Sequence, residues 1–189
     1  MTKVFIGGSR GVSRLDEPIR MRLDRIIEKG IPVVIGDANG VDKTVQQYLD
    51  SKNYLNVEVF CSENGCRNNV GNWKQRKVSA TARAGTFDFY ATRDRTMADE
   101  ATVGLMVWDG KSKGTILNVF RLLKQRKKAV VYNVVEKRFY ELKALAHWEE
   151  FISDCAGELR IKVEQQAAHE DQESGSLSPE PFKPRRVAR

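Results

Sequence analysis

The chain has 189 residues, which suits one compact domain with a tail, and 41% are hydrophobic, enough for a core. Lys and Arg number 32 against 25 Asp and Glu, and the net charge of +7 favours an anionic partner: a nucleotide, a nucleic acid or an acidic surface. No apolar run approaches the roughly 20 residues of a membrane helix, and the first residues run into Lys3-Val4-Phe5-Ile6 rather than a leader, so a cytoplasmic protein without a membrane partner is expected.

Val4-Phe5-Ile6 reads as the first strand. Residues 17–29 read as a helix with Ile19, Met21, Leu23, Ile26 and Ile27 on its apolar side, Asp16 as cap and Gly30 as stop. Val33-Val34-Ile35 is a second strand, residues 41–49 a second helix, and residues 57–60 a third strand. From Ser62 to about Gly85 the chain is polar and basic, without a clean period. This is read as a long excursion with one helical turn near Trp73, and loops of that length are usually functional or mobile. Regularity returns with a helix over 87–101, a buried strand over 103–107, a helix over 114–125, a strand over 129–132 and a helix over 144–155. From about Gln165 polar residues dominate, ending in the basic run 183–189. Residues 1–160 are therefore expected as the folded domain, and 161–189 as a disordered polar and basic tail.

Fully apolar strands alternating with helices predict an α/β fold: a parallel sheet covered by helices on both faces, in a single domain. Ligands of such sheets sit beyond the carboxyl ends of the strands, which directs attention to three loops. The first is Gly7-Gly8-Ser9-Arg10, where two glycines permit close backbone approach and Arg10 offers a forked cation for phosphate or carboxylate. A strand-exit turn with a solvated arginine fits it as well. The second, Gly36-Asp37-Ala38-Asn39-Gly40-Val41-Asp42, runs into a helix start that attracts anions, with Asp42 either a cap or a ribose ligand. The third, Asp109-Gly110-Lys111-Ser112-Lys113-Gly114-Thr115, combines glycines, a hydroxyl and lysines at a helix opening. It has material for a phosphate cradle but lacks the order of a Walker loop. Between the second and third loops, Arg93 and Met97 share a helix face, so Met97 would anchor in the core while Arg93 reaches the strand ends and Asp94 pairs with a cation or orients a sugar. Trp108 is read either as a base-stacking platform or as core, and Trp73 as part of a lid over the ligand.

Cys61, Cys66 and Cys155 are an odd set without framework spacing, read as reduced thiols. With only His147 and His169 as histidines, a zinc site and a Ser-His-Asp triad lack material, and no metal is expected.

The ordered set GGSR, GDANGVD, the stretch from Arg93 to Ala101 and WDGKSKGT resembles the SLOG superfamily, in its YspA/YpsA-type branch. That group is related to the LOG phosphoribohydrolases and to the nucleotide-binding domain of DprA. The resemblance covers residues 3–132. It implies a Rossmann-like sheet, a nucleotide or nucleotide-derived ligand with no obligatory cofactor, and a possible homo-oligomer formed through helices near the site. In the LOG branch an arginine four residues before a methionine and a Gly-Thr pair match Arg93 and Gly114-Thr115, but the catalytic glutamate falls on Asn118, which carries no charge. Three functions follow as expectations. The first is nucleotide binding or sensing without turnover, through the three loops with Asp94 and Asn118. The second is N-glycoside hydrolysis of a nucleoside monophosphate, with Arg93 and Asp109 as catalytic residues. The third is single-stranded nucleic-acid binding through the basic runs 124–128 and 183–189.

Overall fold

Apolar residues at alternate positions set the sheet. In β1 (Val4–Gly8) Val4 and Ile6 enter one core and Phe5 the other. β2 (Val33–Gly36) repeats this with Val33 and Ile35 against Val34, and β5 (Val103–Trp108) with Leu105 and Val107 against Met106 and Trp108. Successive side chains of a strand point to opposite faces, so burial of both sets requires cover on both sides. The structure is a computed structural model describing residues 1–63, 65–80, 82, 83 and 85–174. With β3 (Val57–Ser62), β4 (Lys74–Val78), β6 (Lys128–Asn133) and β7 (Arg138–Leu142) it forms one seven-stranded sheet in the order β4-β3-β2-β1-β5-β6-β7. All pairings are parallel except the last, β6 with β7. This is the expected Rossmann-like α/β architecture.

Helices α1 (Glu17–Glu28) and α2 (Val41–Ser51) cover one face through Ile19, Leu23, Val45 and Leu49. Helices α3 (Phe87–Glu100) and α4 (Lys113–Lys124) cover the other through Met97, Ile116 and Phe120. Every residue of α4 from Thr115 to Leu123 is buried. A helix buried all round needs cover on its outer side too. That cover comes from α5 (Leu145–Ser153), which inserts Trp148, and from α6 (Gly157–Ser174), which inserts Val163 and Ala167. No helix among the described residues is long and apolar enough to cross a membrane.

The strand order reverses at β1. The chain lays β2, β3 and β4 outward on one side, then returns to place β5 on the other. The crevice beyond β1 and β5 is the position where open α/β sheets bind ligands. Ser9 N–H donates to Val107 O at 2.9 Å, so the β1–β5 ladder runs one residue past β1 and holds the first and third loops side by side.

The structure departs from the sequence expectations at several places. The excursion after β3 contains β4 rather than a helical turn. Its Lys-Gln-Arg-Lys-Val sequence has no apolar pattern because it is an edge strand, where charge discourages further pairing. Trp73 is buried, with Nε1 donating to Tyr54 O at 2.8 Å, and is core rather than lid. β7 went unread because it is a short hairpin partner with half-buried aromatics. The expected tail from residue 161 instead begins as α6, whose Glu170 is buried against Arg121 of α4. Residues 175–189, with the basic end, lie outside the described residues. Within α1, Met21 is exposed, and Asp16 makes no side-chain cap but accepts from the Tyr132 hydroxyl at 2.9 Å.

Candidate functional site

Beyond the carboxyl ends of β1, β2 and β5 lies a cavity of about 410 Å³. Gly7, Gly8 and Arg10 reach it from the first loop, and Ala38 and Asp42 from the second. Ser112, Lys113, Gly114 and Thr115 reach it from the third. Arg93 and Asp94 of α3 and Asn118 of α4 complete the predicted set that lines it. The close meeting of the loops has a steric origin. A Cβ on Gly8 would lie 2.2 Å from Val107 O, and one on Gly40, whose φ is +82°, would lie 2.4 Å from Arg10 O. Glycine at these two positions lets the first loop press against β5 and the second against the first.

The amides of the three loops are not equally available. Ser9 N–H is spent on Val107 O, Val41 N–H on Ser9 O, and Ala38 N–H on the Asp42 carboxylate at 3.1 Å. In the third loop Asp109 Oδ1 accepts from Lys111 N–H at 3.0 Å and from Ser112 N–H at 2.8 Å. What opens on the cavity is the start of α4, where Ser112 makes no side-chain cap and the first turn holds no acid. Free N–H groups and the helix dipole there attract an anion, and Lys113 and Arg10 add charge.

Arg93 is the hub of the wall. It is 7% exposed, donates to Asp37 Oδ1, and holds Asp94 Oδ1 through Nε at 3.3 Å and Nη2 at 3.1 Å. Asp37 is itself buried and takes two further donors from Arg67, the backbone N–H at 3.0 Å and Nη2 at 2.6 Å. Burial pushes the Asp37 carboxyl up, but the Arg67 hydrogen bonds and the Arg93 charge outweigh it and hold it below the ordinary value. Asp42 goes the other way. Burial raises it to about 7 against the pull of Arg93, with Asp94 and Asp37 adding repulsion, so near neutral pH it holds a proton about half the time. Three acids around Arg93 also raise the guanidinium, against the opposing effect of burial.

Asn118 is 5% exposed and fixed at both ends: its Nδ2 donates to Asp94 Oδ2 at 3.2 Å and its Oδ1 accepts from Arg121. Arg121 in turn holds Glu170 through Nε at 2.9 Å. A continuous polar chain therefore runs from Glu170 on α6 through Arg121, Asn118, Asp94, Arg93 and Asp37 to Arg67.

The remaining predicted residues do not line this cavity. Ser9 is fully buried and donates to Asp109 Oδ1 at 2.9 Å, with Thr115 Oγ1 at 3.3 Å. Gly36 underlies Asp42 and Arg93, and Asn39 accepts from Asn68. Asp109, Gly110 and Lys111 face a second cavity of about 290 Å³ beside Trp108. Asp109, expected as a catalytic carboxylate, here ties the first and third loops together. Trp108 is core, 4% exposed and 5.4 Å from Phe151 between ring centroids. The basic run 124–128 is partly spent inside the molecule: Lys124 pairs with Asp171, and Lys127 Nζ donates to Ala98 O and Asp99 O at 2.7 Å each.

Sequence reasoning missed part of the lining. Phe87 and Tyr90 form an aromatic wall, with Lys113 Nζ 4.1 Å from the Phe87 centroid and Arg67 Cζ 4.9 Å from that of Tyr90. The spacing Phe87, Tyr90, Asp94, Met97 is one helix stripe and was legible. Arg67 sits in the irregular segment, where no period marks it. Its neighbour Cys66 is joined to Cys61 as a disulfide, Cα–Cα 4.9 Å, where reduced thiols were expected. Ligand atoms of Asp37, Cys61 and Cys66 lie within 4.8 Å of one another, a possible metal grouping. The sulfurs are bound to each other and the carboxylate already faces two arginines, which is poor chemistry for a cation.

No family model matches the chain, and no curated protein matches it. Among solved structures it is similar to DNA processing protein A from Helicobacter pylori, described for its single-stranded DNA binding mode. The identity is 18% and the TM-score 0.52, over 69% of this chain and 64% of that one. The likeness is one of fold, a Rossmann-like α/β sheet reached with little shared sequence.

Proposed function

We propose that the cavity binds a nucleotide or nucleotide-derived ligand, as a sensor or binding module of the SLOG type. One observation carries the reading: three loops, the open start of α4 and the cations Arg10, Arg67 and Lys113 converge on a single cavity. Its volume lies within the range of small-molecule sites. Phosphate belongs at the start of α4 beside Lys113, the base against Phe87 and Tyr90, and the ribose hydroxyls beside Asp94 and Asn118. Calorimetric titration with nucleoside mono- and diphosphates tests this. Micromolar binding reduced more than tenfold by Lys113→Glu is expected, and equal binding by that variant refutes the phosphate position.

Two observations favour further readings. Asp42 lines the cavity with a carboxyl raised to about 7, suited to protonating a leaving base, although Asn118 removes the carboxylate that would stabilise an oxocarbenium-like state. Release of free base from a nucleoside monophosphate, lost in Asp42→Asn, would turn the module into an N-glycosidase. The likeness to a protein known for single-stranded DNA binding favours a polynucleotide ligand. Oligonucleotide binding falling steeply with salt, and outcompeting mononucleotides, would select that reading.

A further inference from the structure

Arg67 owes its place to a short covalent loop. β3 carries Cys61, fully buried, to the sheet edge, and the chain turns back with Gly65 N–H donating to Ser62 O at 3.0 Å. Cys66 returns beside Cys61 and is bonded to it, and the next residue is Arg67. From there Arg67 reaches Asp37 in the second loop and lies over Tyr90 of α3, so it bridges two walls of the cavity. Asn68 adds a bond from Nδ2 to Asp37 O at 2.7 Å, and Val70 N–H one to Gln46 Oε1 at 3.0 Å. Only Cys66 of the pair is accessible enough to meet an external thiol.

We propose that the Cys61–Cys66 disulfide is a redox latch on this cavity, holding Arg67 across it when closed and releasing Arg67, with weaker binding of phosphate-bearing ligands, when opened by an external dithiol. The proposal rests on the nucleotide-binding reading for its ligand and on the covalent loop for its mechanics. A thiolate of the reductant attacks Cys66 Sγ, and Cys61 Sγ leaves and takes a proton. The second thiol of the reductant then attacks the mixed disulfide and frees Cys66. Two electrons and two protons pass to the protein, and the reductant leaves as its own disulfide. Opening the loop restores conformational freedom that the bond removed. The remaining hydrogen bonds must then order residues 65–70 unaided, so affinity falls by about 3- to 30-fold. Asp37 keeps Arg93 as partner, so the second loop holds its shape while the cavity mouth loses one fixed cation.

The test uses the whole protein, oxidised and then treated with dithiothreitol, in three measurements. Alkylation in denaturant with intact mass should label one cysteine before reduction and three after, out of Cys61, Cys66 and Cys155. Hydrogen exchange should show residues 65–70 losing protection on reduction while β1 and β5 do not. Titration with adenosine and guanosine monophosphates should show weaker binding by the reduced form, and Cys66→Ser should match the reduced protein and ignore dithiothreitol. Because Cys61 is fully buried, Cys61→Ser is secondary. Three cysteines labelled in the oxidised protein, or unchanged protection of residues 65–70, overturns the latch. Changed protection with no nucleotide bound by either form overturns the ligand reading and leaves the mechanical latch supported.

Discussion

Asp42→Asn isolates the cost of the acidic cluster around Arg93. Asp42 is 6% exposed, accepts from Ala38 N–H, and faces Arg93, Asp94 and Asp37. Burial raises its carboxyl from 3.8 to about 7, with Arg93 opposing and the two neighbouring acids adding to the rise. Between those pH values the folded chain holds a proton that the unfolded chain has released. Stability contributed by this group is therefore present at low pH and is lost as pH rises toward 7, with no further loss above it. The ceiling on the loss is about 4 kcal/mol, and relaxation around the charge makes about 1–4 kcal/mol the expected range. Asparagine reproduces the neutral acid, since its oxygen can still accept from Ala38. Urea unfolding followed by circular dichroism at pH 5, 6, 7 and 8 provides the measurement, with the difference between variant and wild type cancelling groups common to both. Because the loss begins at 3.8, part of the difference is already present at pH 5, and it should grow in the variant's favour by about 1–3 kcal/mol between pH 5 and pH 8. Parallel curves for the two proteins would refute the account of Asp42. Asp37 does not confuse the result: its carboxyl lies below 3.8, so its stabilisation is lost only as pH falls beneath that window.

Arg93→Ala should cost about 3–5 kcal/mol by urea unfolding, because it removes the buried cation shared by Asp37 and Asp94 and leaves Asp37 to Arg67 alone, and should cost more at pH 8 than at pH 6, where Asp42 is largely neutral. Gly8→Ala places a Cβ 2.2 Å from a backbone oxygen and should destabilise by about 3 kcal/mol or abolish folding. Gly157→Ala, which meets nothing within 4 Å, should stay within about 0.5 kcal/mol in the same urea unfolding assay. Glu170→Ala removes the carboxylate that Arg121 grips, and should cost about 3 kcal/mol and raise hydrogen exchange in α6.

The fold was legible because its information is local. Val4-Phe5-Ile6, Val33-Val34-Ile35 and the run from Val103 announce strands buried on both faces, and helical spacing between them leaves a parallel sheet as the solution. The three loops were legible for the same reason: glycines and cations stand directly after each strand, and the rule for open sheets says where strand ends point. What the sequence could not show was how the polar groups in those loops divide their bonds. Asp109 and Asp37 look equally available in a string of letters, yet one is consumed by Ser9 and by its own turn, and the other by Arg93 and Arg67. β4 and α6 were hidden because an edge strand and an outer helix bury too little to leave a period. Arg67 comes from a different segment than Phe87 and Tyr90 of α3, and they meet only once the sheet has brought α3 and the stretch after β3 to the same end. Sequence by itself determined the covered parallel sheet and the end of it where the three loops stand, because periodicity and turn chemistry act over a few residues. Tertiary structure alone decided which carboxylates are ionised, which amides remain free and which cations face the cavity, because those depend on neighbours dozens of residues away in the chain.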